Sequence, residues 1–152
     1  MRRALVALMA LIMTFTFAGC STEKKTVDIP TIMKTIRSEI DLPDMADITK
    51  DRISGYYEIN PDDIANIAYI IAGSGATADE ILIIEMIDDS KVAEVKTMME
   101  DRKKQISDLF ETYAPNEMPK VESCIIETKG NFAFFAICND NAKAKKIFTD
   151  SF

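Results

Sequence analysis

Cys20 is the residue whose setting most plainly dictates chemistry. Phe17-Ala18-Gly19-Cys20 closes the apolar run Ala4 to Phe17, which follows Arg2-Arg3. A basic start, an apolar core too short to span a bilayer, and small residues before a cleavage point make up an export signal. The cysteine turns that signal into a lipoprotein pattern. Removal of residues 1–19 would expose Cys20, and its thiol would carry a diacylglyceryl group through a thioether. Phe17 takes a slot usually held by an aliphatic residue, while Ala18 and Gly19 fit. The rival reading is an ordinary signal peptide with Cys20 incidental. Its position where apolar sequence gives way to polar favours lipidation. Each buried acyl methylene contributes about 0.8 kcal/mol, so one chain holds marginally and two hold stably. Ser21 to Val27 is polar and aperiodic, a tether reaching roughly 25 Å when extended.

The other reactive residue types offer less. There is no histidine, which excludes Ser-His-Asp and Cys-His nucleophile systems and imidazole-based zinc sites. Gly73-Ser74-Gly75 has the look of a phosphate cradle, but such a loop must open a helix. Ala76-Thr77-Ala78-Asp79-Glu80 and a strand pattern follow instead, so a tight connection using glycine's freedom at positive φ is the better reading. A dyad of Ser74 with a lysine finds no lysine nearby in sequence. Gly73, Ser74, Gly75, Ala76, Thr77 and Glu80 are therefore assigned as a candidate interaction loop. Acidic clusters at Asp41, Asp44 and Asp47, at Asp62-Asp63 and at Asp88-Asp89 do not match EF-hand spacing. Asp62 and Asp89 read as helix caps. Paired carboxylates could come from any of 25 acids, so they carry no signal for glycoside hydrolysis. No catalytic residue, metal ligand or cofactor is assigned.

Without residues 1–19 the chain has 133 residues, the size of one domain spanning residues 28–152 after a lipidated cysteine and tether at 20–27. Loss of Arg2 and Arg3 leaves 16 Lys and Arg against 25 Asp and Glu, a net charge of −9. Nucleic-acid affinity comes mainly from neutralised phosphates, so this balance argues against such a partner. Arg102-Lys103-Lys104 and Lys143, Lys145 and Lys146 sit on amphipathic helices among acids and read as solvated faces. Two thiols remain, Cys124 and Cys138. A two-residue turn at Lys129-Gly130 would point them to opposite sides of a hairpin, whereas a three-residue loop would put them on one side. Free, buried thiols are the favoured reading, although an exported domain could form a bridge.

The elements follow from periodicity. Asp28-Ile29-Pro30 opens a helix to about Ile40 with Ile32, Met33, Ile36 and Ile40 on one stripe. Asp41 to Asp47, with Pro43, reads as a connector, and a short helix spans 48–53. Asn60-Pro61-Asp62-Asp63 caps one further turn. Strand patterns cover Asn66 to Ala72 and Glu80 to Ile87. A long helix from Asp89 or Ser90 to about Tyr113 buries Val92, Val95, Met99, Ile106, Phe110 and Tyr113, with a Glu100–Lys104 pair on its wet side. A hairpin over Val121 to Cys138 and a terminal helix with Ala144, Ile147 and Phe148 inward complete the chain. The order β-β-α-β-β-α after N-terminal helices predicts an α+β domain with a four-stranded, mainly antiparallel sheet covered by helices.

Ile81-Leu82-Ile83-Ile84 and Phe132 to Cys138 are apolar on both faces, so both sides of the sheet should be covered. The expectation places the long and terminal helices on one side. The other takes the N-terminal helices or, in a homodimer, a second copy.

The stretch Ala68-Tyr69 through Gly73 to Ile81 resembles the Ser-Gly-Ala-Thr-Ala-Glu-Glu-Ile segment of a family of small Gram-positive lipoproteins, domain of unknown function 4358. An Asp-Asp-Ser-opened helix with Val92, Val95 and Gln105 follows in the same order. Tyr113-Ala114-Pro115-Asn116-Glu117, Pro119-Lys120-Val121-Glu122 and Lys129-Gly130-Asn131-Phe132 complete the series. The resemblance covers about residue 28 to the C-terminus, and Asp79 replaces a Glu. It implies a lipid-anchored extracytoplasmic domain and brings no catalytic residue with it.

The expected function is that of a non-enzymatic binding or adaptor lipoprotein at the outer face of the cell membrane, with an envelope protein as partner. The alternative is a receptor for a small molecule or envelope polymer, with Tyr56, Tyr57 and Tyr69 walling its pocket. A hydrolase using two facing carboxylates of raised pKa ranks third.

Overall fold

A computed structural model describes residues 27–152. The export signal, Cys20 and residues 21–26 of the tether lie outside them. Helix α1 (Ile29–Glu39) starts with Pro30 in its first turn, where a fixed φ and a missing N–H cost nothing. It buries Ile29, Ile32, Met33 and Ile36.

Five strands form one sheet: β1 (Met45–Asp47), β2 (Ile64–Ala72), β3 (Glu80–Met86), β4 (Ile125–Lys129) and β5 (Phe132–Ile137). Their order is β1-β2-β3-β5-β4, with every neighbour antiparallel. The α+β class agrees with the sequence reading, but the sheet has one strand more than expected. The extra strand is β1, inside the stretch read as a connector. Its three residues pair Met45 with Ala72, Ala46 with Ile71 and Asp47 with Ile70. Three residues are too few for an alternation to register, and Pro43 lies just before them.

The two sheet faces carry separate cores. Leu82, Ile84, Ala133, Phe135 and Ile137 point toward α2 (Val92–Tyr113), α3 (Met118–Glu122) and the 3-10 turn Lys50–Gly55. Ile81, Ile83, Phe134 and Ala136 point toward α1 and α4 (Asn141–Thr149). The long and terminal helices thus lie on opposite faces, not together as expected. Asp140 caps α4 directly after β5 by accepting the Lys143 N–H at 2.9 Å. The helix then stacks Phe148 on Phe134 at 4.7 Å, and Phe134 faces α1. The chain's own helices cover both faces, so burial of the sheet requires no second copy.

Smaller departures have local causes. The helix expected at 48–53 is the 3-10 turn Lys50–Gly55, and α2 is preceded by another at Asp89–Lys91. The caps are Asn60 and Asp88, which accept the N–H groups of Asp62 and Ser90, rather than Asp62 and Asp89. Val121 belongs to α3, so the hairpin begins later, at Ile125. Tyr113, the last residue of α2, is 68% exposed and does not join the buried stripe. Lys104 reaches Asp108 at 2.6 Å instead of Glu100. Lys129 pairs with Phe132, which leaves Gly130-Asn131 in the turn with Gly130 at φ +58°. This turn is one residue later than Lys129-Gly130 and keeps the same parity. Cys124 and Cys138 therefore face opposite cores, and both are free.

Candidate functional site

The segment from Gly73 to Asp79 joins β2 to β3, and its conformation follows from its small residues. The Gly73 N–H donates to the Asp44 carbonyl at 2.8 Å. A Cβ on Gly73 would stand 3.3 Å from that same oxygen, so the two backbones approach as closely as glycine permits. Gly75 has φ +64°, where a side chain would be strained. Ser74 Oγ accepts the Ala76 N–H at 3.3 Å. Gly73, Ser74, Gly75 and Ala76 are exposed, Thr77 is half-buried, and Ala78, Asp79 and Glu80 are buried. The candidate interaction loop is thus an exposed tip, 73–76, on a buried root.

Glu80 forms half of that root. It is 3% exposed, and its carboxylate is engaged on all sides. Tyr57 and Tyr69 donate their hydroxyls to Oε1 at 2.7 and 3.0 Å. Arg102 donates through Nε at 3.1 and 3.2 Å and through Nη2 at 2.7 Å. A buried carboxylate is tolerated only with such pairing. Arg102 also lies over the Tyr56 ring at 5.5 Å, and Tyr56 meets Tyr69 edge to face at 5.3 Å. Arg102 therefore does not lie on the solvated basic face expected of Arg102-Lys103-Lys104. Arg102 falls three residues after Met99 and four before Ile106, both buried, so helical spacing puts it on the apolar stripe.

The other half of the root is a clamp. Lys120 Nζ lies 2.8 Å from both Asp79 Oδ2 and Glu117 Oε2. Glu117 Oε2 also accepts the Ala78 N–H at 3.1 Å. Asn141 holds the end of α3 in place, donating to the Lys120 carbonyl at 3.0 Å and to Ser123 Oγ at 2.9 Å. Its own Oδ1 accepts the Cys138 N–H at 2.8 Å. The loop is therefore tied to α2 through Glu80 and to α3 through Asp79. Among the residues assigned from sequence, only Glu80 belongs to these pairs. Asp79, Arg102, Glu117 and Lys120 carry no site role in the sequence reading.

A family model described as a domain of unknown function (DUF4358) matches residues 38–138. The chain belongs to the DUF4358 family. The matched span runs from α1 to just past β5 and takes in the tip, both buried pairs and the thiol hairpin. No curated protein and no solved structure matches the chain. In the described residues of this DUF4358 domain, no helix is long and apolar enough to cross a membrane.

The electrostatics of these groups in the DUF4358 domain follow from their burial. Desolvation, then the Glu80 charge, hold the Tyr57 and Tyr69 hydroxyls well above their usual range. Burial alone would raise Glu117, but hydrogen bonds from Lys120 and the Ala78 N–H outweigh it and set that carboxyl low. Burial likewise pushes the Cys138 thiol up to about 11 and Cys124 up to about 12. Neither is poised as a nucleophile at neutral pH.

A raised folded-state pKa contributes stability that is complete below the unfolded value and declines as pH climbs past it. The thiols begin that decline above pH 9, and the tyrosines join above pH 10. Each tyrosine should remove about 1.4 kcal/mol per pH unit. Urea unfolding of Tyr57→Phe should show that much less slope above pH 10 and no change in slope just below it.

Two cavities lie along α2, the first lined by Arg102 and Glu80 themselves. One of about 180 Å³ lies between the loop root and α2, with Thr77, Asp79 and Glu80 opposite Ile106, Leu109 and Phe110. The other, about 290 Å³, lies between Tyr56-Tyr57-Glu58 and the α2 side chains Asp101, Lys104, Gln105 and Asp108. Tyr56 and Tyr57 wall this second cavity as expected. Tyr69 is 2% exposed and sits beneath them, edge to face with Tyr57 at 5.8 Å.

Proposed function

We propose that this chain is a membrane-anchored extracytoplasmic lipoprotein whose domain binds an envelope protein partner through the tip 73–76, without catalysing a reaction. The observation that carries the reading is the contrast within the loop. Four exposed small residues are mounted on a base fixed by two buried ion-pair groups. A preorganised tip loses little conformational freedom on docking, which is where much of the cost of association lies. Leu109 and Tyr113, four residues apart on α2, are 59% and 68% exposed, and Leu109 shares a cavity with Gly75. Apolar side chains beside a rigid tip suit a protein surface.

The sequence of residues 1–20 supports the anchor, and the short tether would keep the tip near the membrane. The buried acids suit structure better than hydrolysis. Asp79 and Glu117 share one lysine, and Glu117 is set low rather than high. The cavity walled by Tyr56 and Tyr57 favours the second reading, a receptor for a small molecule or envelope polymer.

Cross-linking in intact cells tests the proposal, comparing acylated wild type with Cys20→Ser. One dominant protein captured by wild type and lost in the variant is the expected result. Capture of no protein by wild type would overturn the adaptor reading and transfer its support to the receptor.

A further inference from the structure

The cavity between the loop root and α2 holds chemistry that the two buried ion-pair groups leave unused. Asp79 is 2% exposed, and Lys120 occupies only its Oδ2. Asp79 Oδ1 and Thr77 Oγ1 are both buried with no hydrogen-bond partner among the described residues. Both residues line the cavity. The groups around it are also unbalanced. Of the charged residues that line it, Asp79 and Glu80 are negative and Arg102 alone is positive. A buried acceptor without a donor, in a cluster with net negative charge, calls for a cationic donor. The opposite wall, with Ile106 and Phe110 buried and Leu109 at the mouth, is apolar.

From this we infer that the cavity receives an alkylammonium group, its nitrogen on Asp79 Oδ1 and Thr77 Oγ1 and its methylenes along Ile106 and Phe110. The inference rests on the binding reading above and supplies the anchoring contact. A volume of about 180 Å³ is smaller than the roughly 300–1,000 Å³ of small-molecule sites. It suits one inserted side chain, the form in which interfaces concentrate affinity. Lysine carries this chemistry on a partner protein, and a free aliphatic amine carries it in solution.

The test is an NMR titration of the mature acylated chain, Cys20 to Phe152, in maltoside micelles, following the amide signals of residues 75–80. The probes are n-butylammonium, which reproduces a lysine side chain, its neutral isostere n-butanol, and Nα-acetyl-lysine methylamide. The ammonium should give saturable shifts, and n-butanol should bind about ten-fold more weakly or worse. Asp79→Asn should weaken the ammonium about ten-fold, and Thr77→Val several-fold. Tighter binding of the lysine amide than of n-butylammonium assigns the occupant to a protein side chain, and equal binding assigns it to a free amine. Absence of saturable shifts, or equal binding of ammonium and alcohol to wild type, overturns the inference. The probe comparison on wild type decides the matter even where Asp79→Asn does not fold. A negative titration alongside continued partner capture in cells would discard this anchor and leave the binding reading standing.

Discussion

Arg102→Met should lower the melting temperature by about 10–20 °C, the size of loss expected when one partner of a buried ion pair is removed. Such a deletion typically costs about 3–5 kcal/mol, because the remaining charge is left desolvated. In a domain of this length each kcal/mol is worth about 4 °C. Methionine keeps most of the stem that packs within α2, so the effect isolates the guanidinium. Glu80, 3% exposed, would keep only the two tyrosine hydroxyls as partners. Adding Glu80→Gln removes the stranded charge and preserves an acceptor for both hydroxyls. The double variant should therefore recover much of the loss, as measured by thermal unfolding in a double-mutant cycle. Additive losses would mean that the pair is not the structural centre described.

Lys120→Met should act more locally and with a different pH signature. It strands two carboxylates at once, Asp79 and Glu117, and again costs about 3–5 kcal/mol. Because that clamp holds the loop root to α3, amide exchange across residues 73–80 should accelerate about ten-fold or more beyond the change in the sheet. In the wild type, Glu117 is set below its ordinary 4.5, so its contribution is present above that value and lost as pH falls through the lowered one. In the variant Glu117 loses the Lys120 hydrogen bond that holds it low and protonates more readily. The stability gap between the two proteins should narrow as pH falls toward 4. Hydrogen exchange and urea unfolding at neutral and acid pH check both halves of this result.

The sheet was largely legible in the sequence, because β2, β3 and β5 carry apolar runs bounded by turn residues and β4 shares a glycine turn with β5. The doubly apolar runs 81–84 and 132–138 also announced a sheet covered on both sides. β1 was not legible, since three residues beside a proline carry no period. The face chosen by α4 depends on which side of β5 its phenylalanine stacks, and element order does not encode that.

The candidate loop divides in the same way. Gly73 and Gly75 follow from local backbone demands, a close approach and a positive φ. Arg102 was hidden by its basic neighbours, although its spacing from Met99 and Ile106 marked it as inward. Lys120 meets Asp79 across 41 positions of chain, and no local pattern could have joined them.

The tip 73–76 is the proposed contact surface. A photo-activated cross-linking residue placed at Ala76 and, separately, at exposed Lys96 on the outer side of α2 tests this in cells expressing the full chain. Both positions are exposed. One protein should be captured from Ala76 and not from Lys96, with the adduct lost in Lys120→Met, which loosens the loop root. Equal capture from the two positions, or none from Ala76 while Lys96 cross-links, would contradict it.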